Sequence, residues 1–158
     1  MKKKTAFNTV WLGLLLAALL LSGCGAGRKS LDVTAFYEKL STEFSLPEMM
    51  ELSEKRMENY YGLNPDACVQ MLARLNRDGQ SVDEIWLIEA KGDAEAAEIL
   101  KLAEFRVQQV CKETENYSPE QYAVAKEAKT VKDGSYVALF ISPDAKAMAE
   151  LFQKSLKG

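Results

Sequence analysis

The chain has 158 residues, with 20 Lys plus Arg against 23 Asp plus Glu, three cysteines and no histidine. Without an imidazole there is no Ser-His-Asp or Cys-His nucleophilic machinery, and two of the three cysteines, left after the processing argued below, fall short of a structural zinc site. The acidic balance argues against nucleic acid, which requires a basic patch, and neither G-x-x-x-x-G-K-[ST] nor G-x-G-x-x-G occurs.

The N-terminus reads as an export and anchoring signal. Met1-Lys2-Lys3-Lys4 supplies a positive n-region, and Val10 to Leu21 is an uncharged apolar run too short to span a bilayer. Leu21-Ser22-Gly23-Cys24 follows directly and resembles the lipobox of bacterial lipoproteins. The residue types suit the chemistry. The Cys24 thiol is the nucleophile that takes a diacylglyceryl group, and small Ser22 and Gly23 let a membrane peptidase cut after Gly23. Residues 1–23 are thus expected to be a cleaved signal peptide, and 24–30 the acylated Cys24 with a short basic linker. Residues 31–158 remain as a single domain. Two acyl chains, palmitate among them, satisfy the requirement for stable anchoring, and a six-residue linker reaches at most about 20 Å.

Asp32 is placed to cap a helix carrying Val33, Phe36, Tyr37, Leu40 and Phe44 at helical spacing, which Leu46-Pro47 ends. Ser53 caps a short helix that stops at Gly62, and Asn64-Pro65-Asp66 is a capped turn. Val69, Met71, Ala73 and Leu75 alternate with Gln70 and Arg74, the pattern of a half-buried strand ended by Asn76-Arg77-Asp78-Gly79. Glu84 to Ala90 is a second, more apolar strand expected at the sheet centre. A long helix runs from Asp93 to about Glu113, with Ala96, Ile99, Leu100, Ala103, Val107 and Val110 on one stripe.

Ser118-Pro119-Glu120-Gln121 starts another helix, with a cap, a proline at the first position and a glutamine three past the cap. Val131 lies in a third strand, Asp133-Gly134 marks a hairpin, and Tyr136 to Ile141 is a fourth strand. Ser142-Pro143-Asp144 opens the last helix, with Ala145, Met148, Ala149, Phe152 and Leu156 inward. The expected class is α+β, an antiparallel four-stranded sheet with helices packed on it.

Several stretches carry a family resemblance: Tyr60-Tyr61-Gly62-Leu63, Asp83-Glu84-Ile85, Glu89-Ala90-Lys91, Arg106 with Gln109, Tyr117-Ser118-Pro119-Glu120-Gln121, and Gly134-Ser135-Tyr136-Val137. On these the chain resembles a family of lipoproteins from low-GC Gram-positive bacteria, the domain of unknown function numbered 4358. The resemblance implies a membrane-anchored extracytoplasmic domain and carries no activity with it.

Candidates for chemistry are few. Glu51, Glu54 and Glu58 share one side of a short helix, where a solvated face beside Lys55 is the simpler account. A calcium loop built on Gly79 at the sixth position would put Arg74 first and Ile85 twelfth, where carboxylates are required. Arg106 and Gln109 flank the long helix. Arg106 either offers its planar fork to a ligand carboxylate or phosphate, or pairs with an acid such as Glu89 and registers helix on sheet, the favoured role. Cys68 and Cys111 are expected as free thiols, although export permits a disulfide. No catalytic residue, cofactor or metal ligand is assigned.

Two function classes remain. The favoured one is a lipid-anchored protein on the extracytoplasmic face of the cell membrane. Its domain would act as a non-catalytic binding or accessory module for an envelope protein, peptide or small solute, without nucleic acid. The alternative is a small carboxylate-based envelope hydrolase with a Glu/Asp pair, for which Glu84 or Glu89 is the candidate. The expected contact residues are Tyr117, Tyr122 and Arg106, with Tyr117 either packed under its loop or presented to a partner.

Overall fold

A computed structural model describes residues 30–157. The expected signal peptide, Cys24 and the rest of the expected linker before Ser30 lie outside the described residues. Five strands form one antiparallel sheet: β1 (Met49–Glu51), β2 (Cys68–Asn76), β3 (Glu84–Ala90), β4 (Lys129–Asp133) and β5 (Tyr136–Ile141), in the spatial order β1-β2-β3-β5-β4. The helices are α1 (Val33–Glu43), α2 (Glu54–Tyr61), α3 (Asp93–Thr114), α4 (Pro119–Lys126) and α5 (Ala145–Lys157).

The four-strand expectation is corrected to five. β1 is three residues long, and its sequence, Met-Met-Glu, has no β-branched or alternating signal. It exists because β2 offers it a partner edge, pairing Met49 with Asn76 and Glu51 with Arg74.

The sheet is covered on both faces. α1 and α5 pack against Leu72, Ile85, Leu87, Tyr136, Ala138 and Phe140. α2, α3 and α4 cover the opposite face, against Ala73, Trp86, Ile88, Val137, Leu139 and Ile141. β3 and β5 therefore bury both sides, which explains their unbroken apolar runs. β2 is not the simple alternating strand expected. Its register shifts between Cys68 and Gln70, leaving Val69 61% exposed, while Leu72 and Ala73 enter opposite cores.

The local stops act as the sequence suggested. Asp32 Oδ1 accepts from the Thr34 and Ala35 amides at 2.9 and 3.0 Å, and the Ser53 side chain accepts from the Arg56 amide. Gly62 closes α2 at φ 70°, a left-handed conformation in which glycine carries no Cβ penalty. The β4–β5 hairpin turns on Gly134 and Ser135, one residue later than expected, with Asp133 already paired to Tyr136. The long helix runs to Thr114, burying Ala96, Ile99, Ala103 and Val110 and half-burying Leu100 and Val107.

Candidate functional site

Two polar networks cross the layers, one on each face of β3. Strand parity decides their membership. Glu84 shares a face with Trp86 and Ile88, beneath α3, whereas Glu89 shares the other with Ile85 and Leu87, beneath α1.

The first network is centred on Glu84, whose side chain is 0% exposed. Its Oε1 accepts from Trp86 Nε1–H at 2.8 Å, and its Oε2 accepts from Arg106 Nε–H at 2.9 Å. Arg106 Nη1 lies 3.7 Å from Glu113 Oε2 at the surface. The guanidinium carbon stands 5.4 Å from the centroid of the Tyr61 ring, and Tyr61 meets Trp86 edge to face at 5.1 Å. Strand β3, helix α3 and the end of α2 are joined through these four side chains.

The electrostatics follow from the burial. Loss of water pushes the Glu84 carboxyl above the usual carboxylate range, against the opposing pull of Arg106 and the two hydrogen bonds. Both oxygens accept from N–H donors, so the ionised form is the one this geometry satisfies. A protonated carboxyl would turn an O–H toward one of them. Burial opposes the charge on Arg106, yet Glu84, Tyr61 and Glu113 together raise its pKa. Tyr61 is pushed up to about 12, first by burial and then by the Glu84 carboxylate.

This corrects the expected pairing of Arg106 with Glu89. The acid is Glu84, on the strand face that the helix covers. Glu89 cannot serve, because it points through to the other side of the sheet. The same parity separates Glu84 and Glu89 as a catalytic pair. Glycoside hydrolysis needs two carboxyls flanking one bond in one cleft, and here the sheet stands between them.

The second network holds the N-terminal end of the described chain. Gln70 Nε2–H donates to the Leu31 carbonyl at 3.1 Å and to Glu89 Oε2 at 2.5 Å, while Gln70 Oε1 accepts from the Val33 amide at 3.1 Å. The Leu31 amide donates to the Tyr136 hydroxyl at 3.0 Å. Nothing in the local sequence of Gln70 announces this role; its alternation marked it only as a polar strand position.

The remaining sequence candidates are scattered. Tyr117, in the turn between α3 and α4, is 88% exposed, so its ring does not pack under the loop. Tyr122 is half-buried, with Lys126 Nζ 5.4 Å from its ring centroid. Ser118 caps α4 through the Gln121 amide, but the Gln121 side chain does not close a capping box. Its Oε1 accepts instead from the Val82 amide at 2.9 Å, tying α4 to the loop before β3. Glu54 and Glu58 are exposed, and Glu51 pairs with Arg74 at 2.7 Å. Cys68 and Cys111 are free and half-buried, and burial raises both thiol pKa values.

Among the described residues, no cluster of three or more His, Cys, Asp or Glu side chains could hold a metal ion, and no helix is long and apolar enough to cross a membrane. A family model described as a domain of unknown function (DUF4358) matches residues 42–142, more than half of the chain. Comparison with curated proteins and with solved structures finds no match. The matched span runs from the end of α1 through β5 and contains the whole Tyr61–Glu84–Trp86–Arg106 network.

Proposed function

The chain belongs to the family of the domain of unknown function DUF4358, and on that premise we propose a lipid-anchored binding or accessory module at the extracytoplasmic face of the cell membrane. Acylation at Cys24 after cleavage at Gly23 tethers it. The folded domain engages an envelope partner without catalysing a reaction.

The observation that carries the binding reading is Tyr117. A tyrosine ring 88% exposed beside Pro119, on a turn held by two rigid helices, offers stiff amphipathic contact area at small entropic cost. The two acids named for the hydrolase alternative, Glu84 and Glu89, are instead engaged in the fold. Both oxygens of Glu84 are occupied by Trp86 and Arg106, and Glu89 is held by Gln70 on the far side of the sheet.

Crosslinking on intact cells, with mass spectrometry of captured protein, tests the proposal. A Tyr117→Ala, Tyr122→Ala double variant of unchanged melting temperature is expected to lose about 1 kcal/mol or more of capture, a common interface-truncation scale. Full capture by that variant would remove this turn as the contact.

A further inference from the structure

The clamp on Leu31 and Val33 opens onto a cleft. An open depression of about 420 Å³ lies between α1 and α5, with Ser30 on its wall. Leu31, Phe36 and Leu151 give it an apolar lining, and Lys39 and Lys154 are its cations. Lys39 shares its charge with Glu43 at 3.7 Å, both about half exposed, while Lys154 forms no ion pair among the described residues. Asp32 also borders the cleft, but its Oδ1 is taken by the Thr34 and Ala35 amides.

We propose that this cleft faces the bilayer and seats the headgroup of an anionic phospholipid, its phosphate between Lys39 and Lys154 and its apolar end on Leu31 and Leu151. The inference rests on the reading of Cys24 as the acylated residue. Six residues from Cys24 to Ser30 extend to at most about 20 Å, so the surface around Ser30 is kept near the membrane. The hydrogen bonds that Leu31 and Val33 make with Gln70 and Tyr136 keep them from swinging free of the sheet, which makes the tether point part of the rigid domain. What surrounds Ser30 is this cleft. Its volume falls in the range of small-molecule sites, and lysines within a Debye length of an anionic surface are attracted to it.

The test uses the full acylated chain in vesicles of phosphatidylglycerol and phosphatidylcholine, and in detergent micelles. Each sample is pulsed with an amine-acetylating reagent, and modification at every lysine is read by mass spectrometry. Lys101 on α3, 67% exposed and on the far side of the sheet, is the internal reference. Lys39 and Lys154 are expected to react about five-fold more slowly in the anionic vesicles, the factor equivalent to ~1 kcal/mol per lysine at an anionic surface, with Lys101 unchanged. Salt at about 0.5 M, or phosphatidylcholine alone, should abolish that protection.

Flotation with the vesicles and the acyl mass on Cys24 report on the anchor separately. Floating protein whose Lys39 and Lys154 react as fast as Lys101 overturns the headgroup site and leaves the anchor standing. Protein that neither floats nor carries acyl groups overturns both. Equal protection in micelles and vesicles would mean that residues 25–29 fill the cleft, and protection by inorganic phosphate in micelles would assign it to a soluble anion. Either result overturns the inference.

Discussion

Glu84 Oε2 and Arg106 Nε lie 2.9 Å apart, bridging the central strand and the long helix across 22 residues of sequence, with the carboxylate fully buried. A buried ion pair contributes little net stability over a well-packed apolar pair, but breaking it from one side strands a charge. Arg106→Met is therefore expected to cost about 3–5 kcal/mol in chemical denaturation. The double variant Glu84→Leu, Arg106→Met should recover part of that loss, the remainder being the Trp86 Nε1–H left without its acceptor. A single variant as stable as the wild type would show that the pair does not hold strand to helix.

Gln70 answers for the position of α1. Removing its side chain in Gln70→Ala leaves the Leu31 carbonyl, the Val33 amide and Glu89 Oε2 without these partners. The expected loss is about 1–3 kcal/mol, the usual range for an orphaned buried polar group. Amide exchange at Val33 should accelerate more than exchange at Leu40 in the middle of the same helix. Uniform acceleration along α1 would instead indicate global destabilisation.

The Tyr61 hydroxyl makes the fold sensitive to alkali. Its pKa is pushed up to about 12 in the fold against 10.0 for an ordinary tyrosine, so the folded state favours the neutral ring. That contribution is complete below pH 10 and is lost as pH rises from there toward about 12. Melting temperatures of the wild type and Tyr61→Phe, compared from about pH 8 to about pH 11, should show the wild type losing ground above pH 10. A difference independent of pH would contradict the burial of this ring against Trp86 and Arg106.

The anchor is testable by one atom. Cys24→Ser keeps a nucleophilic oxygen but lacks the thiol that lipid transfer requires, so the variant is expected to leave the membrane fraction or accumulate with its signal sequence. Mass spectrometry of the wild-type N-terminus should find acyl chains on Cys24. Mature protein beginning at another residue would refute cleavage at Gly23.

Local chemistry made most of the elements legible. Asp32, Ser53 and Ser118 accept from the helical amides that follow them, and Gly62 takes the left-handed end of α2, because each acts through atoms within a few residues. The apolar runs of β3 and β5 marked the sheet centre for the same reason, since burial on both faces leaves no room for alternation. The α3 stripe was legible from its period alone. Parity along β3 also held the correct partner of Arg106, because residues two apart share a face and Glu84 lies with Trp86.

Tertiary structure decided the rest. β1 has no strand signal of its own and forms because β2 presents an unpaired edge. Gln121, spaced for a capping box, reaches Val82 instead because folding brings that amide within 2.9 Å. Gln70 meets Leu31, Val33 and Glu89 across sequence separations that no local pattern encodes. Whether Tyr117 packs or projects depends on what the surrounding elements leave open, and they leave it to solvent. Propensity, capping and period are properties of neighbouring residues, so the sequence determined the elements. Side-chain partners and exposure depend on which surfaces meet, and only the packed sheet and helices settle that.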